Sequence, residues 1–282
     1  MKVAILGGSG FLGTFLSDYL RLKKVKLITI GRDKKNNIKL TSYSKQELTK
    51  VFKKTNFDIL INLCAITNVD LCEKKINLAK SVHIKLIKNI SYIVKKLNPK
   101  GYIIQISTDQ VYNTKGRNKE KDISLTNNYA KTKYLGEKYI YENSCILRTN
   151  FFGLSDTRTS LASWIIHSLR YKKKINVFDN IYFSPLYIKT LCHYIFLILK
   201  KKPKGVFNIG SSKCITKSEF AFYIAKKLNL DSNYLNKSSY KKENLYATRP
   251  NFMCMDSSKF KKQFHINLNS PFEEINKMIR DI

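Results

Sequence analysis

The sequence predicts an α/β protein: a doubly wound parallel sheet with a smaller C-terminal lobe. Three observations carry that prediction. Short apolar runs alternate with amphipathic helical stretches along the first half of the chain. Those runs are apolar on both faces rather than on alternate positions only, as strands of a sheet covered on both sides are. The first run passes straight into a glycine-rich turn and then a helix, GGSGFLG.

In chain order, KVAIL (2–6) is the first strand, and FLGTFLSDYLRLKK, with apolar residues at helical spacing, is the helix after the turn. VKLITI (25–30) is a second strand, QELTKVFKK a short helix, and FDILINLCA (57–65) a third, nearly continuous apolar strand. A long helix through 74–97 leads to the fourth strand, GYIIQIST (101–108). The YAKTK stretch starts another helix, SCILRT (144–149) is a strand, and GVFNIGS (205–211) returns to the same sheet. This places a first domain at 1–150, rejoined by 181–211, and a second lobe at 151–180 and 212–282. No internal repeat is visible.

With 282 residues and 43% hydrophobic content, the chain can bury a large core. Its net charge of +32 comes mostly from lysines spread over the whole length in twos and threes. Arginines, which dominate base reading, are few, and no aromatic-rich RNA motif appears. A solvated lysine surface, with some pull on anionic substrates, accounts for the charge; no nucleic-acid partner is expected. The six cysteines (64, 72, 145, 192, 214, 254) include no C-x-x-C pair, and several lie in apolar runs. They are expected to be reduced, with no metal site. The apolar run Leu191–Leu199 is far shorter than the ~20 residues a membrane span needs. No membrane association is expected, and the location expected is the cytoplasm.

Gly7, Gly10 and Gly13 form G-x-x-G-x-x-G between a strand and a helix. The first permits the tight turn, the second lets the backbone approach a pyrophosphate, and the third lets helix and strand pack closely. This is a dinucleotide site of Rossmann type. An acidic residue commonly ends the second strand to hold a ribose 2′-hydroxyl. Here Arg32 follows Ile30 and Gly31, a cation suited to an added 2′-phosphate, although Asp33 stands beside it.

Ligands in open α/β sheets lie beyond the C-terminal strand ends, so Ser107, Thr108 and Asp109 of ISTDQVYN should face the cleft. Five tyrosines precede a lysine by four residues: Tyr19, Tyr92, Tyr129, Tyr134 and Tyr223. The spacing puts each pair on one helical face and proves nothing alone. Only Tyr129 and Lys133 follow both a glycine-rich turn and a polar strand end. Tyr134 is rotated away from the first turn of the same helix, and its pair with Lys138 is read as surface.

These motifs resemble the extended short-chain dehydrogenase/reductases, most nearly the dTDP-4-dehydrorhamnose reductase group of nucleotide-sugar reductases. The resemblance spans nearly the whole chain, from GGSGFLG through NLCAITNVDLCE, ISTDQVY, NNYAKTKYLGE, ILRTNFFG and YFSPLYI to RPNFMCMDSSKF. It implies an NADPH-dependent (NADH possible) reduction of a nucleotide-linked 4-keto sugar for polysaccharide biosynthesis. Thr108, Tyr129 and Lys133 would be catalytic: Thr108 holds the developing oxyanion, Tyr129 protonates it, and Lys133 makes the phenol a better acid. Gly7, Gly10, Phe11, Leu12, Gly13, Arg32, Cys64, Ala65 and Thr67 would hold the cofactor together with Tyr129 and Lys133. Thr108, Asp109, Asn150, Phe151 and Arg249 would take the substrate, and the assembly would be a monomer or homodimer.

The chain departs from the family pattern at Val82-His83, where asparagine is frequent, and at Ser42-Tyr43, where an acidic residue usually lies near the adenine. It also carries Phe151 in place of a tryptophan and Gln110 in place of an aromatic residue. Gln110 cannot serve as the base a 4,6-dehydratase needs. A nucleotide-sugar 4-epimerase, and a non-catalytic subunit like the regulatory one of methionine adenosyltransferase, remain the alternatives.

Overall fold

Strand β1 (Lys2–Leu6) enters helix α1 (Phe11–Leu22) through the glycine turn, and β2 (Lys26–Gly31) and the short β3 (Ile38–Lys39) follow. Next come α2 (Lys45–Thr55), β4 (Ile59–Asn62), α3 (Val69–Lys74), α4 (Ile76–Lys80), a π turn at Ser81–Lys85 and α5 (Leu86–Leu97). Then β5 (Tyr102–Thr108), α6 (Asn128–Glu137), β6 (Ser144–Thr149), β7 (Phe151–Phe152), α7 (Leu161–Arg170), β8 (Ile175–Phe178), β9 (Tyr182–Phe183) and β10 (Leu186–Tyr187) are laid down. The last elements are α8 (Ile188–Lys201), β11 (Gly205–Ile209), β12 (Ile215–Thr216), α9 (Lys217–Lys227), β13 (Leu235–Ser238), β14 (Phe252–Met253), α10 (Ser258–Phe264) and α11 (Pro271–Ile279). The structure, a computed structural model, describes residues 1–155, 160–243 and 245–282.

The chain divides into two units. The first unites Met1–Thr108, Asn127–Arg148 and Cys192–Phe207, and its sheet has the order β11-β6-β5-β4-β1-β2-β3. The ladders of β1 with β2 and β4, of β2 with β3, and of β4 with β5 are parallel. The doubly wound fold expected from the sequence is therefore present. Every residue of β4, β5 and β6 is buried, which is why these strands are apolar on both faces, with their polar residues mostly toward the ends. Helix α5 buries Leu86, Ile90, Ile93 and Val94, and these meet Leu48 and Phe52 of α2 over Leu60 and Ile103 of the sheet. Each such aliphatic side chain contributes roughly 1.5–3 kcal/mol on burial.

The helix expected through 74–97 is not continuous. It breaks at Lys75, where φ is −126° and ψ 63°, and again widens into the π turn before α5. The π turn turns His83 inward, and only 1% of it is exposed.

The second unit unites Asp109–Thr126, Thr149–Leu191 and Asn208–Ile282. Its sheets are small: β10 pairs with β7, β13 with β8, and β9 lies between β12 and β14. Phe220 of α9 packs edge-on against Phe152 at 4.9 Å and Phe183 at 5.6 Å. Buried polar groups tie the loops together. Tyr112 Oη donates to Asn208 Oδ1 at 2.6 Å, and Asn208 Nδ2 donates to the Asn118 carbonyl at 3.0 Å.

The expectation of six reduced cysteines is corrected here. Cys214 and Cys254 form a disulfide. They are 40 residues apart in sequence, and they meet because one precedes β12 and the other follows β14, the two strands flanking β9. No spacing rule reveals such a pair. Cys72, Cys145 and Cys192 are buried thiols outside any disulfide, and Cys64 is a half-buried one. Among the described residues no helix is long and apolar enough to cross a membrane.

Candidate active site

In the first unit, the glycine turn is built by close approach. Gly7 has φ +92°, a conformation L side chains rarely adopt, and its N–H donates to the Ile30 carbonyl at 2.8 Å. A Cβ on Gly13 would lie 2.3 Å from the Gly7 oxygen, so only glycine lets α1 sit this near β1. Gly10 caps α1 with no side-chain hydrogen bond. The first-turn N–H groups and the positive end of the helix dipole are thus available to an anion. Leu12 is buried and Phe11 half-buried against Phe15, so what these two residues can offer a diphosphate is backbone N–H.

Arg32 is exposed just beyond β2, its guanidinium 5.4 Å from the Tyr43 ring centroid. Cys64 Sγ donates to Tyr43 Oη at 3.4 Å, which joins Arg32, Tyr43 and Cys64 in one line beside the turn. Burial, then the neighbouring Cys64, push the Tyr43 phenol up, so it stays protonated. Asp33 does not hold Arg32: its Oδ1 accepts the Lys35 N–H at 2.8 Å and closes its own turn. Ala65 is half-buried and Thr67 exposed in the loop after β4. This donor set fits a phosphorylated dinucleotide: the N-terminal turn of a helix with no side-chain cap, and a cation beyond β2.

Asn36 was not foreseen. It is buried between the turn and the loop after β2, and its Nδ2 donates to Ser9 Oγ at 3.2 Å and to the Asp33 carbonyl at 2.9 Å. A Cβ on Gly31 would come within 2.7 Å of the Asn36 side chain. The only sequence hint is its place in a run of turn-forming residues.

Thr108 ends β5 and is buried; Tyr129 and Lys133 are buried one turn apart on α6. Helix α6 is fixed at its start by Asn127, whose Oδ1 accepts the Ala130 N–H at 2.8 Å, and by Glu73, which accepts the Asn128 N–H and Nδ2, both at 2.9 Å. Lys133 Nζ donates to the Ile106 carbonyl at 2.8 Å, two residues before Thr108 on β5. Burial pulls the Lys133 ammonium down to about 8, with Glu137 opposing. Glu137 is itself answered. Arg148 reaches it at 2.6 Å and 3.0 Å, and Ser107 Oγ at 2.5 Å. Two buried charged groups therefore stitch α6 to the strands beneath it.

His83 was noted in the sequence only as a departure, yet it touches both sides of this site. The Ile66 N–H donates to its Nε2 at 3.0 Å, so Nδ1 carries the proton and donates to Thr132 Oγ1 at 2.8 Å. Thr132 passes the bond on to the Asn128 carbonyl at 2.7 Å. The imidazole lies edge-on to Tyr129, with ring centroids 5.6 Å apart. Burial, then the Lys133 ammonium, lower its pKa to about 3, so it stays neutral. Gly136 is required by the same contact, since a Cβ there would lie 1.9 Å from the His83 carbonyl oxygen. By contrast Tyr134 is half-buried and Lys138 exposed, its Nζ resting 4.7 Å from the Tyr134 ring centroid.

In the second unit Asn150 Nδ2 donates to Asp109 Oδ2 at 2.8 Å. Asn150 and Arg249 line a cavity of about 230 Å³, while Phe151, in β7, is not part of that lining. The walls are apolar, with Trp164, Phe178 and Met253, and the polar groups include Gln110, Asn176 and Lys217. An apolar slot with a few converging amides and cations suits a heterocycle bearing an anionic group.

With this geometry in hand, the likeness to known proteins is informative. A spore coat polysaccharide biosynthesis protein, SpsK, of Bacillus subtilis (strain 168) is 27% identical over 241 residues, covering 83% of this chain and 82% of that protein. A dTDP-4-dehydrorhamnose reductase of Shigella flexneri is 22% identical over 251 residues, 83% of each chain. The crystal structure of a dTDP-4-dehydrorhamnose reductase from Bacillus anthracis in complex with NADP covers 100% of both chains with a TM-score of 0.91 at 21% identity, a likeness of fold. The family described as RmlD substrate binding domain matches residues 1–282, and the chain belongs to it.

Proposed function

We propose that this member of the RmlD substrate binding domain family is an NADPH-dependent reductase of a nucleotide-linked 4-keto sugar, in a pathway of polysaccharide biosynthesis. The observation that carries the reading is one helix, α6, holding Tyr129 and Lys133 buried on one face and latched through Lys133 to the strand that ends in Thr108.

NADPH, when bound, supplies the hydride. The first-turn N–H groups of α1, at Phe11 and Leu12, would hold its diphosphate, with Gly7, Gly10 and Gly13 giving the room, and Arg32 would hold the 2′-phosphate. Cys64, Ala65 and Thr67 would flank it, and Tyr129 and Lys133 would also contact it. Thr108 donates a hydrogen bond to the ketone oxygen and stabilises the charge that develops there. Tyr129 gives that oxygen its proton. A free phenol titrates near ~10 and is a poor acid at neutral pH. The Lys133 ammonium favours the phenolate and so brings the phenol toward working pH. Asp109, Asn150, Phe151 and Arg249 of the second unit take the nucleotide sugar.

The test is NADPH oxidation against a panel of nucleotide-linked 4-keto sugars. One NADPH is expected to be consumed per sugar converted, and the purified protein is expected to carry little tightly bound nucleotide. Interconversion of two 4-hydroxy sugars with the cofactor unchanged replaces this reading with an epimerase. Tight NADPH binding with no turnover across the panel replaces it with a regulatory subunit.

A further inference from the structure

Lys217 is the first residue of α9. A cation there faces the positive end of the helix dipole, where carboxylates are favoured. The rest of this terminus follows the usual chemistry: Thr216 and Glu219 close a capping box. Lys217 alone is out of place, so its charge is not there to stabilise the helix.

Its surroundings engage that charge through a ring face and a nearby carboxylate, but not through a hydrogen bond. Lys217 Nζ lies 3.4 Å from the centroid of the Phe183 ring, and it donates no hydrogen bond to any described residue. It senses the Asp109 carboxylate, but that group already accepts from Asn150 at 2.8 Å, and no ion pair forms with Lys217. A half-buried ammonium with its donors unanswered is costly unless something else answers them. Lys217 also lines the cavity of about 230 Å³ on which Arg249 opens, so both cations meet the same ligand.

We propose that Lys217 is an anion-binding residue of the second unit that, with Arg249, holds anionic oxygens of the ligand in this cavity. The ligand's class rests on the nucleotide-sugar reading above. Its anionic oxygens are those of a nucleoside diphosphate or of a carboxylate on the sugar it carries.

Calorimetric titration of wild type, Lys217→Met and Lys217→Arg tests this. The ligands are UDP and dTDP, the nucleosides uridine and thymidine, and UDP-glucuronate against UDP-glucose. Methionine keeps the stem and removes the charge. It is expected to weaken the anionic ligands roughly tenfold to a hundredfold, the range of a charge-assisted hydrogen bond, while arginine restores most of the loss. A loss shared by both diphosphates and absent for the nucleosides assigns Lys217 to the diphosphate. A loss confined to UDP-glucuronate assigns it to a sugar carboxylate. Should Lys217→Met misfold, Lys217→Gln, which also removes the charge but keeps a polar tip, carries the same comparison. Unchanged affinities in the methionine variant, equal losses on the uncharged nucleosides, or a wild type that binds none of the anionic ligands would each overturn the proposal. Lys217-dependent binding without NADPH oxidation leaves the proposal standing and removes the reductase reading; oxidation indifferent to Lys217 does the reverse.

Discussion

Lys133 and Lys217 are both lysines pulled down to about 8 by burial, one in each unit. Their partners differ. Lys133 donates to a strand carbonyl and lies near Glu137, which Arg148 and Ser107 hold in turn. Lys217 has an aromatic ring, a carboxylate that Asn150 already engages, and a cavity. In the first unit the protein answers its own buried charges and so fixes α6 against the strands. In the second it leaves donors open, as a pocket must if a ligand is to complete it.

That contrast breaks most visibly at Tyr129. Tyr129→Phe removes only a hydroxyl, so NADPH binding should persist while turnover falls roughly 10²–10⁴-fold, the usual cost of losing a general acid. Tyr134→Phe, on the same helix, should leave turnover close to wild type. Steady-state rates and cofactor titrations of both variants check this, and similar losses in the two would erase the distinction drawn between them.

The claim that unit 1 answers its own charges is next. Glu137→Gln leaves the Arg148 guanidinium, 3% exposed, without its carboxylate. Breaking a buried pair from one side costs about 3–5 kcal/mol. Denaturant unfolding should show a loss of that order, and a loss below about 1 kcal/mol, typical of a surface pair, would refute the idea that α6 is anchored there.

His83 sharpens the same point through pH. Its folded-state pKa is lowered to about 3 from an ordinary value of 6.5. Between those values the unfolded chain binds a proton that the folded chain refuses, so stability rises with pH across that window and is lost as pH falls through it. At pH 5 the loss from this residue should be roughly 2 kcal/mol, from 1.36 kcal/mol per pKa unit. His83→Asn should flatten the wild-type decline in melting temperature between pH 7 and pH 4. An unchanged slope would mean that the imidazole is not held neutral.

The smallest effect is at the rim. Arg32→Ala should narrow the preference for NADPH over NADH by roughly tenfold, the loss of an exposed charge-assisted contact. Equal affinities for the two nucleotides in the wild type would remove Arg32 from the cofactor site while leaving the fold untouched.

Legibility in the sequence follows the range of the interaction. The turn from β1 into α1 could be read because Gly7, Gly10 and Gly13 act within one turn of chain, and their backbone requirements are local. The break in the helix through 74–97 is not legible in the sequence, because no proline or glycine marks it. The reason for the π turn lies elsewhere: His83 meets Thr132, 49 residues on, and its carbonyl meets Gly136. Asn36 bonds Ser9 across 27 residues, and nothing near either one announces it.

By itself the sequence determined the doubly wound class, the anion-ready helix end and the helical face that Tyr129 and Lys133 share. Strand and helix periodicity and turn chemistry are set by neighbours a few residues away. Only the tertiary structure decided which buried polar groups are answered and by what: Lys133 by the Ile106 carbonyl, Glu137 by Arg148, Cys214 by Cys254, and Lys217 by an open cavity. Burial makes each of those groups costly unless it is matched. In each closed pair the matching group stands 11 to 40 residues away, a distance only the folded chain spans.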